Sequence, residues 1–253
     1  MSPRVRVCLF AVAIAGFAAF YLWGLHGLPG FGNYPGPYGF IINRLAVAQT
    51  NATGIVSAVN FEYRGFDTVG EEFILFIAAT GVSTVLRQLR GEREHSPVDE
   101  GMGRSGVMTS DAIRISALAF VGPVALFGWE LASHAQTNPS GGFQGGVVLA
   151  SAVMLVYLAG QLLTFKRFSP ADVTDAVEAV GAGGFVVVGL AAVFIGLPYL
   201  YNWLGLGGSP GAVTSSGTIA LISFFVGIEV TAAFVLIVSE LLEQTLMTQE
   251  GKG

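Results

Sequence analysis

The chain has 253 residues, of which 53% are hydrophobic and only 11% charged, and its mean hydropathy is +0.66. A water-soluble domain carries roughly 25% charged residues, so this composition argues against a soluble domain and favours an integral membrane protein. The net charge of −5, without basic clusters, argues against nucleic-acid binding, and the single cysteine, Cys8, excludes a disulfide framework, a cysteine zinc site and a cysteine-ligated iron–sulfur cluster.

Six apolar runs are long enough to cross a bilayer as helices, which takes roughly 20 residues. The sequence therefore predicts an all-α membrane protein with about six spans: Val7–Gly24, Thr68–Leu86, Ala112–Leu131, Gly146–Phe165, Val180–Leu200 and Thr218–Leu242. The first run ends in the aromatic residues Tyr21 and Trp23 and lacks a small-residue cleavage pattern. It is therefore predicted to be a retained anchor rather than a signal peptide.

The distribution of Lys and Arg predicts that both termini are cytoplasmic. With that orientation the cytoplasmic side holds ten of the twelve basic residues, and only Arg44 and Arg64 lie outside. Such an asymmetry is the positive-inside signal of membrane proteins. The ten residues are Arg4, Arg6, Arg87, Arg90, Arg93, Arg104, Arg114, Lys166, Arg167 and Lys252.

The outer loop Leu25–Asn60 leads into the second span and is too long for a tight turn. Its second part, Ile41–Asn60, is mildly apolar and is predicted to form an amphipathic or re-entrant helix. At the start of the second span, Asp67 or Thr68 followed by Glu71 fits a capping box.

A purely structural interpretation of these acidic residues is that the positive end of the helix dipole stabilises them, which accounts well for Asp67 and Glu72. It accounts less well for Glu71, because an ionisable side chain below the headgroups is costly. Glu71 is therefore a candidate for an ion path.

The cytoplasmic loop Arg87–Ser110 is charged, contains Pro97 and has no apolar periodicity, which is typical of a linker. It predicts a two-helix module over residues 1–90, a linker over 91–110 and a four-helix module over 111–253.

Glu130 and His134 lie four residues apart near the outer end of the third span, so they share a helix face if the helix continues that far. They are either an interfacial pair in contact with headgroup water or part of a proton or cation path. The three histidines of the chain are too scattered to indicate a metal cluster.

The segment TNPSGGFQGG, Thr137–Gly146, has several glycines but lacks the Lys-Ser/Thr of a Walker A loop, which argues against a nucleotide site. The residues favour a mechanical role, in which the Asn-Pro pair forces a turn and the glycines allow a neighbouring helix to approach closely. Gln144 adds an amide at the start of an apolar helix. The motif residues are Asn138, Pro139, Gly141, Gly142, Gln144, Gly145 and Gly146.

Glu229 is near the middle of the sixth span, beside Gly227, Ala232 and Ala233. Small neighbours indicate a helix–helix interface, where the acid is either a neutral structural residue or part of a proton or cation path. Glu178, just before the fifth span, is expected in a solvated loop.

Three of these segments resemble parts of Mrp-type multisubunit cation/proton antiporters. RGFDTVGE, Arg64–Glu71, resembles a motif at the end of the large A-type subunit, a module that is a separate small subunit in energy-converting membrane-bound hydrogenases. NPSGGFQGG, Asn138–Gly146, resembles the signature of the B-type subunit, and Gly217–Phe234 is similar to the last helix of that subunit. The resemblance covers about Ala52–Glu243, with Ser140 where the family is expected to have glycine.

The resemblance implies a B-type subunit fused to a small module like the end of the A-type one, in a multisubunit complex of the inner cell membrane that exchanges Na⁺ or another monovalent cation for protons. Other membrane subunits and the lipid bilayer are the implied partners. The resemblance implies no catalytic site, resident metal, haem, flavin or cluster in this chain. Its ion-path candidates are Glu71, Glu229, Glu130, His134 and Asp67. A structural scaffold for the membrane arm of a redox-coupled, hydrogenase-like complex is the alternative.

Overall fold

The computed structural model describes residues 3–28, 30–33, 36–86 and 110–250. The described residues form helices and no strands, which confirms the predicted all-α class. The helices are α1 (Pro3–His26), α2 (Tyr38–Thr50), α3 (Ile55–Ala58), a π-helical turn (Val59–Tyr63), α4 (Gly65–Leu86), α5 (Asp111–Ser133), α6 (Gly142–Phe168), α7 (Ala171–Phe194) and α8 (Thr218–Glu250).

Six of these helices, α1 and α4 to α8, are long and apolar enough to cross a membrane, which confirms the predicted number. The fifth span differs, because α7 begins at Ala171 and not near Val180. Pro170 occupies the N-cap position, and Asp172 in the first turn is favoured by the positive end of the helix dipole. The prediction that Glu178 lies in a solvated loop is therefore wrong: it is a buried residue inside α7.

The described chain divides into two compact units, Met1–Ile41 and Ile42–Gly253. In the first unit, none of the side chains in the apolar window of α1 is buried within the chain. The predicted linker, residues 91–110, lies outside the described residues except for Ser110, whose side chain accepts a hydrogen bond from the Ile113 amide and caps α5. The division into modules of residues 1–90 and 111–253 stays a prediction.

Helix α8 is the central helix of the second unit. It packs against α4, α6 and α7, and 56% of its apolar window is buried, more than in any other span. Its buried side chains form the core with residues from the loop before α4 and from α7. The larger side chains among its fully or nearly fully buried members are Phe61, Phe185, Ile219, Ile222, Val226 and Val230.

The segment before α4 is helical, as predicted for Ile41–Asn60, and it consists of α2, α3 and the π-helical turn. The predicted capping box is wrong, because α4 already begins at Gly65 and both Asp67 and Thr68 lie in its first turn. The Thr68 hydroxyl instead donates to the Asn60 carbonyl at 2.7 Å, and Asp67 forms an exposed ion pair with Arg64. These bonds tie the start of α4 to the preceding turn.

The glycines of the 138–146 segment lie where α6 crosses its neighbours. A Cβ at Gly142 would collide with the Ser223 carbonyl of α8, and one at Gly146 would lie 2.7 Å from the Val230 Cβ. On another face of α6, a Cβ at Gly145 would lie 2.7 Å from the Ala132 Cβ of α5. The structure thus has the close helix approach that these glycines predict.

Candidate functional site

Two carboxyl side chains, Glu72 of α4 and Glu229 of α8, meet in the interior of the second unit. Glu72 is 3% exposed and Glu229 is fully buried. Their carboxyl groups are within hydrogen-bonding reach of each other. Within the described chain, none of their four oxygens accepts a hydrogen bond from any other group.

Because both acids are buried and no other described donor reaches them, the pair cannot hold two negative charges at once without a neutralising proton or cation. Two carboxylates in contact and shielded from water repel each other strongly, so such a pair is stable only when a proton or a cation neutralises part of its charge. When one acid is protonated, its O–H is the donor that the other oxygens lack. The pair therefore requires a neutralising positive charge, which a single shared proton supplies.

Helix geometry places this pair deep in the membrane. Glu72 is seven residues after the start of α4 at Gly65, and Glu229 is eleven residues after the start of α8 at Thr218. At 1.5 Å per residue these positions lie about 10 Å and about 16 Å along their helices, against a hydrocarbon core about 30 Å thick. Glu229 thus lies near the middle of its span, and Glu72 about a third of the way along its own.

A small void of about 10 Å³ separates the two acids from their apolar surroundings. Apart from the carboxyl groups, its lining is entirely aliphatic and aromatic, from α4 and α7: Val69, Phe73, Phe76, Ala182, Phe185 and Val186. This volume holds at most about one water molecule.

A second and larger cavity, of about 600 Å³, lies on the other side of Glu72. It is lined by α3, the π-helical turn, α4, the start of α6 and Val226 of α8. Glu71, Asn60 and Gln144 bring polar side chains to it. Glu72 is the lining residue that the two spaces share, and its carboxyl oxygens are buried.

The predicted candidates lie in different places. Glu229 is in the buried pair, and Glu71 and Gln144 line the larger cavity as exposed residues. Glu130 and His134 are in contact, with 2.9 Å between Oε2 and Nδ1 at the end of α5, on the shared face that their spacing indicates. Asp67 pairs with Arg64, and neither Asp67 nor the Glu130–His134 pair lines either cavity.

Glu72 is a site residue that the sequence did not single out. The helix dipole does not explain it, since Glu72 lies two turns beyond the start of α4. The sequence carries a weak signal: Thr68, Glu72 and Ala79 follow helical spacing, and all three are buried.

A second network of polar side chains joins the start of α8 to the π-helical turn. The Asn202 Oδ1 accepts hydrogen bonds from the Thr218 amide at 2.9 Å and from its hydroxyl at 3.1 Å. The Asn202 amide donates to the Ser216 carbonyl at 2.9 Å and to Glu62 at 3.5 Å. Burial raises the pKa of Glu62, and the bond from Asn202 opposes that rise.

Comparisons with known proteins agree with this architecture. Residues 112–236 match the model of a family described as a domain related to the MnhB subunit of Na⁺/H⁺ antiporters. An uncharacterized protein of Methanocaldococcus jannaschii is 28% identical over 239 residues, covering 83% of this chain and 87% of that protein. The B subunit of the Na⁺/H⁺ antiporter of Alkalihalophilus pseudofirmus is 36% identical over 66 residues, 26% of this chain and 45% of that relative.

Two solved structures share the fold. A chain of the membrane-bound sulfane sulfur reductase, an archaeal respiratory membrane complex, superposes with a TM-score of 0.72 at 28% identity, covering 94% of this chain and 99% of that one. A chain of the Mrp complex of a Dietzia species superposes with a TM-score of 0.68 at 21% identity, covering 95% of this chain but 26% of that one.

Proposed function

We propose that the chain is a membrane subunit of an antiporter-like complex and that its Glu72–Glu229 pair is an ion-exchange site of that complex. The match of residues 112–236 to the model of a domain related to the MnhB subunit of Na⁺/H⁺ antiporters supports the first part. The observation that carries the proposal is the burial of both acids without any other described hydrogen-bond donor. A proton or a monovalent cation neutralises the pair, and replacement of one by the other is the elementary step of antiport.

The chain supplies part of the ion path and its partners supply the rest. Glu71 lies at the cavity surface on the side of the segment before α4, and a proton moves between the carboxyl groups of Glu72 and Glu229, breaking the O–H bond at one and forming it at the other. The cavity lies toward the starts of α4, α6 and α8, which the positive-inside pattern assigns to the outer side of the inner cell membrane. The path beyond this chain runs through other membrane subunits.

A scaffold role is the second candidate, and the superposition with a chain of an archaeal respiratory complex supports it. In that case the six helices have only a packing role and connect other subunits in the membrane arm of a redox-coupled complex. Glu229 is then a neutral acid that interacts with the carboxyl group of Glu72. A scaffold tolerates Glu229→Gln, because the amide has the same size and offers both a donor and an acceptor.

The test is cation-dependent proton movement in membrane vesicles that contain the whole complex. Glu229→Gln removes the exchangeable proton and is expected to lower the rate roughly tenfold or more, whereas Glu229→Asp keeps the charge and should retain part of it. The matched control is Glu130→Gln, which changes an acid of the same size in the exposed pair with His134.

Complex abundance is measured in the same membranes, so that lost assembly is not mistaken for lost transport. Normal abundance with normal proton movement in the Glu229→Gln complex contradicts the ion-exchange role and favours the scaffold.

A further inference from the structure

Glu178 of α7 is a buried acid outside the Glu72–Glu229 pair. Resting on the proposed function, we infer that Glu178 is the proton carrier on the inner side of that pair, and that the acidic start of α7 leads from it to the inner surface. Three observations support this role: the burial of Glu178 within a span, its closeness to Glu229, and the acids that follow it toward the inner end of the helix.

Glu178 lies on the packed face of α7. The side chain is 5% exposed, in a helix long and apolar enough to cross the membrane. The buried residues Thr174, Glu178, Gly181 and Phe185 recur at intervals of three or four, so they share one face of the helix. An ionisable side chain inside a span is costly, and in membrane proteins such residues mark ion pathways and proton relays. Glu178 thus has the location of a relay residue.

The packed face brings Glu178 close to Glu229. A Cβ at Gly181 would be 2.6 Å from the Glu229 Cβ. Residues three apart on a helix have Cβ atoms about 5–6 Å apart, so the Cβ atoms of Glu178 and Glu229 are at most about 9 Å apart. The Glu229 oxygens accept no hydrogen bond from Glu178 in the described chain. Proton transfer therefore takes a rotamer change of the two flexible side chains or one bridging water.

The acids at the start of α7 continue from Glu178 toward the inner surface. The helix begins at Ala171, and the positive-inside pattern assigns this end to the inner side. Asp172, Asp175 and Glu178 are spaced three residues apart, so consecutive acids are neighbours on the helix. Their exposure falls in steps along the helix, since Asp172 is exposed, Asp175 is half-buried and Glu178 is buried. The series links inner water to the residue nearest Glu229.

The relay balances in protons and charge. The resting pair holds one shared proton, and a second proton that enters the pair makes both acids neutral. The O–H bond at Glu229 then breaks and an O–H bond forms at the Glu178 carboxylate, which leaves the pair with its single neutralising proton. Glu178 returns to the carboxylate when its proton passes to inner water by way of Asp175 and Asp172. One proton has then moved inward, and the reverse sequence moves one outward.

The experiment measures proton movement in membrane vesicles that contain equal amounts of the whole complex. Glu178→Gln keeps the size of the side chain but removes the titratable proton, and is expected to lower the rate roughly tenfold or more. Glu178→Asp keeps the carboxyl group on a shorter side chain and should be faster than Glu178→Gln. Glu130→Gln, in the exposed contact with His134, is the control and should leave the rate unchanged.

The order of the two Glu178 variants separates a proton carrier from a packing residue. A packing role depends on size and hydrogen bonding, so Gln would then replace Glu better than the shorter Asp does. Normal proton movement in the assembled Glu178→Gln complex, or a rate at least as high as that of Glu178→Asp, would overturn the inference. Should Glu178→Gln reduce the abundance of the complex, Glu178→Asp and Glu178→Asn match each other in size and make the same comparison.

Failure of this inference is distinguishable from failure of the proposed function. If Glu229→Gln slows proton movement but Glu178→Gln does not, the pair is an exchange site and the inner route through Glu178 is wrong. If Glu229→Gln leaves proton movement normal, the exchange site itself is wrong.

Discussion

The backbone of Glu229 lies directly against Gly181 of the neighbouring helix: a Cβ at position 181 would be 2.6 Å from the Glu229 Cβ. Three residues further along α7, a Cβ at Gly184 would collide with the Phe225 ring, four residues back along α8. The two helices therefore run antiparallel, and the absence of a side chain at Gly181 lets the central acid sit at their interface.

The Gly181 contact predicts a position-specific effect of adding one methyl group. Gly181→Ala should displace Glu229, destabilise the fold by about 1–3 kcal/mol and lower the melting temperature of the complex. Gly183→Ala on the same helix meets no described atom within 4 Å and should be neutral or slightly stabilising, since Ala is the better helix former. The melting temperatures of the two purified variant complexes are compared by thermal unfolding. Equal melting temperatures would show that the interface between α7 and α8 has room for a methyl group at position 181.

The glycines at the start of α6 should be required for assembly. Gly142→Val and Gly146→Val each place a branched side chain against the backbone or Cβ atoms of α8, so we expect less assembled complex in the membrane. Gly81→Val in α4 is the control, because a Cβ there meets open space in the described structure. Normal yields of the two α6 variants would mean that the segment does not need a close crossing.

The stability of the complex should depend on pH through Glu62. Burial raises the pKa of Glu62 above its ordinary value of 4.5, so the folded chain holds this proton more tightly than the unfolded chain does. Its contribution is therefore fully present below pH 4.5 and is lost as the pH rises through the folded-state pKa. Glu62→Gln should flatten this decline, and melting temperatures across that pH range measure it. If the melting temperature of the Glu62→Gln complex falls with pH as steeply as that of the unaltered complex, other titratable groups cause the pH dependence.

The positive-inside pattern predicts the orientation of the chain. In a background with Cys8 replaced by Ser, a cysteine at Ser96 should not react with an impermeant reagent in intact cells. A cysteine at Ser209, an exposed residue between α7 and α8, should react. The opposite labelling pattern would invert the topology.

The number of spans and the class of the fold follow from hydrophobicity, because each span is long and apolar enough to stand out from the sequence alone. The start of α7 does not follow in this way, since its first two turns carry Asp172, Asp175 and Glu178 among apolar residues. Hydropathy assigns such a stretch to a loop, whereas the helix continues through it.

The choice between Glu71 and Glu72 required the structure. Neighbouring residues on a helix point about 100° apart, so only Glu72 reaches the void that Glu229 lines, while Glu71 is exposed in the larger cavity. Helix α4 is apolar over most of its surface, and its sequence pattern therefore does not reveal which side packs. Glu229 was identifiable from the sequence because a lone acid in the middle of an apolar span, with small neighbours, is expected to face other helices and not lipid.

The most direct test of the exchange site is a double-mutant cycle on the two acids. Cation-dependent proton movement is measured in vesicles of equal complex content for the unaltered complex, Glu72→Gln, Glu229→Gln and the double variant. If the two carboxyl groups act as one exchange site, each single variant loses most of the rate and the double variant loses no more than the worse single one. Losses that multiply in the double variant, or a near-normal rate in either single variant, would contradict the claim that the pair works as a unit.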